Sequence, residues 1–391
     1  MGWSLHRATG LTFHSPAQSF KGYTLVTPIA ADYSVLLDMS GQVVQRWRVA
    51  GFRIFQSELL SSGNLLVLCT DASLPPPQQV PFDQPPPLFE QHIRRLGGSA
   101  THLRELDWDG GLVWDYGNQA IHHDFVRKSN GHTVVAEWVE LPEDVARRVR
   151  GGARRPREKF PRMLSDDILE IDAAGNELRR IHLWQLLDPL RDAICPLEQR
   201  WEWTHLNSLA LTSNEDILFS CRTNSRVGII DGATGGLRWK FGAPDVYHQH
   251  HATPLSNGNV QIFDNGMHRV GLSYSRVVEV DPRTSAVVWE YAGEPQEQFF
   301  SGHISGAERL PNDSVLICEG TSGRVFEVTR RGETVWEWIS PFTSVVQGRT
   351  RSWLFRAHRY PIDFSGLAGR SLDAARFGDF NRLHGLHGAG V

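Results

Sequence analysis

The stretch Asn257-Gly258-Asn259-Val260-Gln261-Ile262-Phe263 decides the fold, because its pattern returns along the chain. A small polar turn leads into a short apolar strand, a second strand ending in an acidic residue follows, and Trp289 closes the unit. Four more units keep this order of turn, strands and tryptophan. Their turns and closing tryptophans are Ser62-Gly63-Asn64 with Trp114, Asn130-Gly131-His132 with Trp184, Asn214-Glu215-Asp216 with Trp239, and Asn312-Asp313-Ser314 with Trp336.

The N-terminal segment resembles the outer strands of a sixth unit, with strands near residues 23–26 and 33–41 and with Trp47. Its missing inner strands are expected from residues near 357–360, so the two ends of the chain would close one blade. Short strands with Asn-Gly-type turns, at a period of roughly 40 to 50 residues, are typical of a β-propeller. The sequence therefore predicts an all-β protein with six four-stranded antiparallel blades. A two-sheet sandwich or two β domains would give no reason for the repeated tryptophan.

The chain has 391 residues, 40% of them hydrophobic and 21% charged, which is enough to bury a large core. We expect one propeller domain over residues 1–364, with an insertion at about 141–165, and a poorly ordered tail over 365–391. The insertion carries a basic run, Arg147-Arg148-Val149-Arg150 followed by Arg154-Arg155-Pro156-Arg157. This run is either a solvated loop or a lid that attracts an anionic substrate.

The formal net charge of −4 gives no global attraction to nucleic acid or to an anionic membrane. The chain shows no apolar signal core and no run long enough to span a membrane. Its four cysteines, Cys69, Cys195, Cys221 and Cys318, have no paired spacing. Free thiols point to a reducing compartment, and the expected location is the cytoplasm.

Polar residues recur at fixed places in the repeat. Counting back seven residues from the turn asparagine gives His123, Asn207, His250 and Ser305, and counting back nine gives Ile121, His205, His248 and His303. Residues two apart on a strand share a face, and the innermost strands of a propeller line its central channel. We therefore expect His123, His205, Asn207 and His250 to converge at one mouth, with His303 and His248 beside them. By the same alternation, His122 points away from His123, and His251 packs between strands.

Arg222 follows the apolar strand 217–221 and is placed to reach over the same mouth. A guanidinium that faces several imidazoles suits an oxyanion with spread charge, such as sulfate or phosphate.

These residues resemble those of the PAPS-independent arylsulfate sulfotransferases over nearly the whole chain. The likeness rests on motifs in this order: Gly10-Leu11-Thr12-Phe13 with Gly22-Tyr23-Thr24-Leu25, His122-His123-Asp124, Trp203-Thr204-His205-Leu206-Asn207-Ser208, Gln249-His250-His251-Ala252 with Phe263-Asp264-Asn265-Gly266, and Arg356-Ala357-His358-Arg359-Tyr360. The resemblance implies a six-bladed propeller that moves a sulfuryl group from an aryl sulfate donor to a phenolic acceptor through a sulfohistidine.

The resemblance also implies the roles of single residues. His250 would be the nucleophile, and His123, His205, Asn207 and Arg222 would bind the sulfuryl group and its transition state. A neutral imidazole attacks sulfur, charge on the sulfuryl oxygens is held by preorganised donors, and His123 exchanges the phenol proton. Ping-pong kinetics follow, and no cofactor is needed. An intracellular enzyme of secondary metabolism would fit this pattern.

Two other functions fit parts of the sequence. A metal-dependent propeller enzyme would use His248 and His250, with His205 or His303 as a third ligand. A propeller that only binds a partner or ligand would need none of this chemistry.

Overall fold

The computed structural model describes residues 8–74, 93–94, 96–153, 162–346 and 348–386. Its main strands form six four-stranded, mainly antiparallel blades of a β-propeller, one of which carries an added fifth strand. The prediction of an all-β, six-bladed propeller is therefore confirmed. Contacts divide the chain into two compact units, and each unit holds three blades. The assignment of residues 1–364 to one domain stays a prediction.

Unit 1 comprises Met1–Cys69, Leu103–Asp115 and Ile304–Val391 and contains blades 1, 2 and 6, numbered along the chain. From the inside outward, the strands of blade 1 are Leu354–Pro361, Gly22–Pro28, Tyr33–Leu37 and Val43–Arg48. Those of blade 2 are Phe52–Leu59, Leu65–Asp71, His102–Leu106 and Leu112–Gly117. Those of blade 6 are Gly306–Arg309, Val315–Glu319, Arg324–Val328 and Thr334–Ile339, with Gly10–His14 added at the outer edge.

Unit 2 comprises Thr70–His102 and Tyr116–His303 and contains blades 3, 4 and 5. The strands of blade 3 are Ile121–Arg127, Thr133–Glu140, Leu164–Ile171 and Glu177–His182. Those of blade 4 are Leu206–Leu211, Ile217–Cys221, Arg226–Ile230 and Leu237–Gly242. Those of blade 5 are His250–Pro254, Val260–Asp264, Arg276–Asp281 and Ala286–Ala292. The inner strands of these three blades lie side by side, which brings the predicted site residues to neighbouring strands.

Blade 1 is shared between the two ends of the chain, as the sequence predicts. Its inner strand, Leu354–Pro361, pairs antiparallel with Gly22–Pro28, and Leu25 lies opposite His358. The N-terminal segment supplies three strands of this blade, so the C-terminal segment contributes one inner strand rather than several.

The Asn-Gly turns act as the sequence suggests. In blade 5, Oδ1 of Asn257 accepts a hydrogen bond from the backbone N–H of Asn259 at 3.0 Å, while Gly258 takes a φ of 87° that favours glycine. The repeated tryptophan lies on the fourth strand of five blades. The exception is Trp184, because the fourth strand of blade 3 ends at His182 and Trp184 falls in the following helical turn, Leu183–Leu186.

The remaining elements are short. Two small sheets pair Gly151–Ala153 with Ile194–Gln199 in parallel, and Ser344–Val346 with Arg349–Arg351 antiparallel. The other helices are Glu143–Arg148 and Gly378–Leu383, and 3-10 turns form at Gln296–Gln298, Gly320–Ser322, Ser365–Leu367 and Ala374–Phe377. In the described part of the chain, no helix has the length and apolar character to cross a membrane.

The basic insertion lies only partly within the described residues. Arg147 pairs with Glu143 one helical turn away, whereas Arg154, Arg155 and Arg157 lie outside them. Its role as a solvated loop or a lid stays a prediction.

The last described residues of the chain contact blade 1. Asn381 is buried and holds blade 1 through two hydrogen bonds, from the backbone N–H of Val43 to its Oδ1 at 2.9 Å and from its Nδ2 to the carbonyl of Val43 at 3.1 Å. Leu386 is buried in the same apolar cluster as Val43. Asn381 and Leu386 therefore pack on blade 1, and the poorly ordered tail over 365–391 stays a prediction.

Candidate active site

Three histidines at the start of inner strands of unit 2 have left-handed backbone, with φ of 51° at His123, 55° at His205 and 52° at His248. This conformation is uncommon for residues other than glycine, and persists where the surrounding structure holds it. The pairing of inner and second strands also shifts register near this end in blades 3, 4 and 5. Such bulges interrupt the alternation of faces. Side chains two residues apart therefore need not share a face here.

His250 is buried, and its ring is oriented by Asn265. Nδ1 of His250 lies 2.7 Å from Oδ1 of Asn265 and 3.2 Å from the carbonyl oxygen of His248, so Nδ1 carries the proton and donates to both. Nδ2 of Asn265 donates to the carbonyl of Ser301 at 2.7 Å, which fixes the orientation of the amide. The remaining ring nitrogen, Nε2, therefore carries the lone pair of a neutral imidazole.

The surroundings of His250 keep it neutral. Burial lowers its pKa well below the usual range against the opposing hydrogen bond to Asn265, and the positive charges of Arg222, His205 and His303 lower it further. These electrostatic neighbours are the residues that the sequence predicts to converge on His250. His303 itself is half-buried, and its carbonyl accepts a hydrogen bond from Oγ of Ser301 at 3.0 Å.

His123 and His205 lie against each other, with ring centroids 4.5 Å apart at 67°. Nδ1 of His205 is 2.8 Å from Oε2 of Glu202, and the other oxygen of Glu202 accepts a hydrogen bond from Nε1 of Trp138 at 3.0 Å. Glu202 thereby fixes the His205 ring from behind.

The prediction that His122 points away from His123 is wrong. Nδ1 of His122 lies 2.8 Å from Nδ1 of His123, because the left-handed backbone of His123 turns its side chain back. Nε2 of His122 is 3.0 Å from Oδ1 of Asp166, in the geometry of an ion pair rather than of a well-aligned hydrogen bond, and the ring stacks on Trp138. The carboxylate favours the proton on Nε2, so Nδ1 of His122 accepts from His123.

Asn207 and Arg222 occupy the same region as the histidines. Nδ2 of Asn207 donates to the carbonyl of Gln249 at 2.8 Å, so this amide holds the chain next to His250. The backbone N–H of Arg222 donates to the carbonyl of His205 at 3.0 Å, and its Nη2 lies 2.8 Å from Oε1 of Glu198. A guanidinium has five N–H donors, so this pairing leaves others for an anion.

His248 and His251 are both buried. His251 lies in the bulge of the inner strand of blade 5, with φ of 46°. The ring of His248 meets that of His268 edge to face, with centroids 4.7 Å apart. Burial lowers the pKa of His248 to about 2, and the charges of Arg222 and of nearby histidines add to the effect.

Within the described residues, Cys195, His248 and His268 are the group whose donor atoms are close enough for one metal ion. This group differs from the metal set suggested by the sequence, since it shares only His248 with it and omits His250, whose Nδ1 is occupied by Asn265.

Sequence reasoning missed several partners of the site. Asn265 and Glu202 lie in or beside motifs that the sequence singles out, Phe263–Gly266 and Trp203–Ser208, but nothing in the spacing shows that each orients a histidine. Asp166, Glu198, Cys195 and His268 lie outside the repeat register of the inner strands, so no pattern pointed to them.

One solved structure shares the fold at low sequence identity, and a second shows a weaker likeness. A protein of unknown function from Bacteroides caccae is 12% identical, with a TM-score of 0.53 and coverage of 87% of this chain and 98% of that chain. A virginiamycin B lyase from Staphylococcus aureus is 12% identical over 81% of this chain and 86% of its own, with a TM-score of 0.42. No curated protein sequence matches.

A sequence profile described as arylsulfotransferase (ASST) matches residues 102–341. The matched segment is more than half of the chain and includes His123, His205, Asn207, Arg222 and His250. The resemblance inferred from the motifs is confirmed. The chain belongs to the arylsulfotransferase family.

Proposed function

We propose that this protein transfers a sulfuryl group from an aryl sulfate to a phenolic acceptor through a covalent intermediate on Nε2 of His250. The observation that carries the proposal is the hydrogen bond from Nδ1 of His250 to Asn265 at 2.7 Å, because it leaves the lone pair on Nε2. A buried imidazole that stays neutral is a competent nucleophile. Membership of the arylsulfotransferase family supports the same reaction class.

In the first displacement, the lone pair of Nε2 attacks sulfur, the N–S bond forms, and the bond between sulfur and the aryl oxygen breaks. The aryl oxygen leaves with that electron pair and takes a proton. In the second displacement, the acceptor oxygen attacks the same sulfur and loses its proton, and the N–S bond returns its electrons to Nε2. Two displacements at one site predict ping-pong kinetics.

His123 is suited to move the phenol proton. Because its Nδ1–H donates to His122, its Nε2 is the atom that gives a proton to the leaving phenolate and takes one from the acceptor. Asp166 holds His122 in the required tautomer, much as a carboxylate orients a catalytic imidazole elsewhere.

Arg222 and His205 are suited to stabilise negative charge on the sulfuryl oxygens. Both act electrostatically on His250, and Glu202 fixes the ring of His205 from behind. Preorganised donors of this kind supply much of the acceleration in group transfer. We assign His303 a contact with the substrate on the other side of His250, and Asn207 the positioning of the strand through Gln249.

The direct test is incubation with p-nitrophenyl sulfate in the absence of acceptor, followed by intact mass and peptide mapping. We expect one SO₃ adduct on His250 that disappears when a phenol is added. The His250→Asn variant should form no adduct, whereas the matched variant at the neighbouring position, His251→Asn, should still form one. An adduct that persists in His250→Asn would overturn the assignment of the nucleophile. Absence of both adduct and turnover with several aryl sulfates would favour a binding scaffold.

A further inference from the structure

A second group of chemically reactive side chains lies beside the proposed sulfuryl site, and three of its members, Cys195, His248 and His268, have no step in the proposed transfer. Cys195 and Glu198 come from the strand Ile194–Gln199, His248 precedes the inner strand of blade 5, and His268 lies in the loop between its second and third strands. One donor atom from each of Cys195, His248 and His268 falls within 4.8 Å of the others.

The separations match those of ligands around one small cation. Tetrahedral zinc, with Zn–S near 2.3 Å and Zn–N near 2.05 Å, places sulfur and nitrogen about 3.6 Å apart, and a carboxylate oxygen and a nitrogen about 3.4 Å apart. Sγ of Cys195 lies 3.5 Å from Nδ1 of His268. Oε1 of Glu198 lies beside these atoms, 3.5 Å from Nδ1 of His248 and 3.9 Å from Nδ1 of His268, and the second distance is longer than one coordination sphere gives.

The second observation is the state of His248. Its side chain is fully buried, and neither ring nitrogen has a hydrogen-bond partner of good geometry among the described residues. A buried polar group without such a partner is costly, which calls for an explanation such as an ion. The ring is close enough to Cys195 and His268 for that ion to bind all three.

We propose that Cys195, His248 and His268 bind a zinc-class divalent cation, with Glu198 as a carboxylate beside them outside the coordination sphere. Cys195 binds as the thiolate and releases its proton to solvent, and both imidazoles bind as neutral donors. Thiolate and imidazole together select zinc over magnesium or calcium. The thiolate and the carboxylate balance the two charges of the cation.

Arg222 has a defined place around this site. Its Nη2 lies 2.8 Å from Oε1 of Glu198, so it orients the carboxylate that lies beside the three ligands. Three protein ligands leave the fourth position of this tetrahedral site to water. The bound ion would join three parts of the chain: the strand Ile194–Gln199, the loop that holds His268, and the segment that holds His248, two residues before His250. The proposal does not depend on sulfuryl transfer, and its tests do not measure that activity.

The unmodified protein allows a first test through thiol labelling. Cys195 is half-buried, while Cys69, Cys221 and Cys318 are buried, so an alkylating reagent should label Cys195 in the native, chelator-treated protein. One equivalent of Zn²⁺ should suppress this labelling, and Mg²⁺ should not. Labelling of Cys195 at the same rate with and without Zn²⁺ would overturn the proposal and leave a hydrogen-bonded cluster only.

Cobalt gives a second, spectroscopic test. Co²⁺ should bind with one equivalent per chain and show the thiolate charge-transfer band and strong visible bands of a tetrahedral site. We expect Cys195→Ser to lose the charge-transfer band, and Glu198→Gln to weaken the affinity about 10- to 100-fold. The matched control is His132→Gln, a histidine on the turn between the inner and second strands of blade 3, which should bind as the unmodified protein does. Weak octahedral spectra, or the same charge-transfer band in Cys195→Ser, would contradict the assignment.

Discussion

Nη2 of Arg222 lies 2.8 Å from Oε1 of Glu198, and this ion pair links the proposed sulfuryl site at His250 to the cluster that contains His248. On one side, the charge of Arg222 lowers the pKa of buried His250, after the larger effect of burial. On the other side, Oε1 of Glu198 lies 3.5 Å from Nδ1 of His248. The carboxylate therefore holds the guanidinium in place while the guanidinium keeps donors for an anion.

Replacement of Arg222 by lysine should lower kcat/KM for an aryl sulfate about 10²- to 10³-fold, the effect of losing a preorganised donor to transition-state charge. Lysine keeps the charge, but it loses the planar fork that contacts Glu198 and that the proposed mechanism also directs at the sulfuryl oxygens. The measurement is steady-state transfer from p-nitrophenyl sulfate to a phenol. Arg238→Lys, at a half-exposed position on the outer strand of the same blade, is the control and should act as the unmodified enzyme. Unchanged kinetics in Arg222→Lys would remove Arg222 from the mechanism.

Replacement of Asn265 by leucine should lower the rate of adduct formation on His250 about 10²- to 10⁴-fold, with KM less affected. Without Oδ1, the proton on Nδ1 of His250 keeps only the longer hydrogen bond to the carbonyl of His248, so the Nε2–H tautomer gains population. The ring ¹⁵N shifts of His250 report the tautomer directly, and a change in stability alone would not move them. Asn259→Leu, on the turn between the inner and second strands of the same blade, is the control. A full rate with the Nε2–H tautomer dominant would contradict the proposed nucleophilic atom.

Replacement of His122 by phenylalanine should slow transfer most for donors with poor leaving groups. Phenylalanine retains a ring to stack on Trp138, but it removes the acceptor that fixes the proton of His123 on Nδ1. A nitrophenolate leaves with little help, whereas a more basic phenolate needs the proton, and proton transfer contributes about 10²- to 10⁴-fold. A series of aryl sulfates should give a steeper dependence on leaving-group pKa than the unmodified enzyme. Parallel dependences in the two proteins would mean that His122 does not act through His123.

The fold was readable from the sequence because turns such as Asn257-Gly258-Asn259 punctuate strands at a regular period. The sequence also predicts the strand Leu354–Pro361, because the N-terminal segment alone leaves blade 1 without an inner strand. The site was harder to predict, because its geometry depends on left-handed residues and bulges that interrupt the alternation of strand faces. The left-handed backbone of His123 turns its ring toward His122, and alternation of faces predicts the opposite. The contact between Arg222 and Glu198 joins residues that do not hold equivalent positions in the repeat, so only the three-dimensional structure shows it.

The final prediction concerns His358, on the inner strand of blade 1. Burial lowers its pKa, but the hydrogen bond and charge of Glu308 and the charge of Glu58 outweigh burial and the opposing charge of Arg356, so the pKa is raised above the usual 6.5. A histidine whose folded pKa is raised stabilises the protein fully below its unfolded pKa. That contribution is lost as the pH rises through the folded pKa. The free energy of unfolding relative to His358→Gln should therefore shrink as the pH rises above about 6.5. Urea unfolding across this range measures the difference, and Glu308→Gln should remove most of it. A difference that grows with pH would mean that burial, rather than Glu308 and Glu58, controls His358.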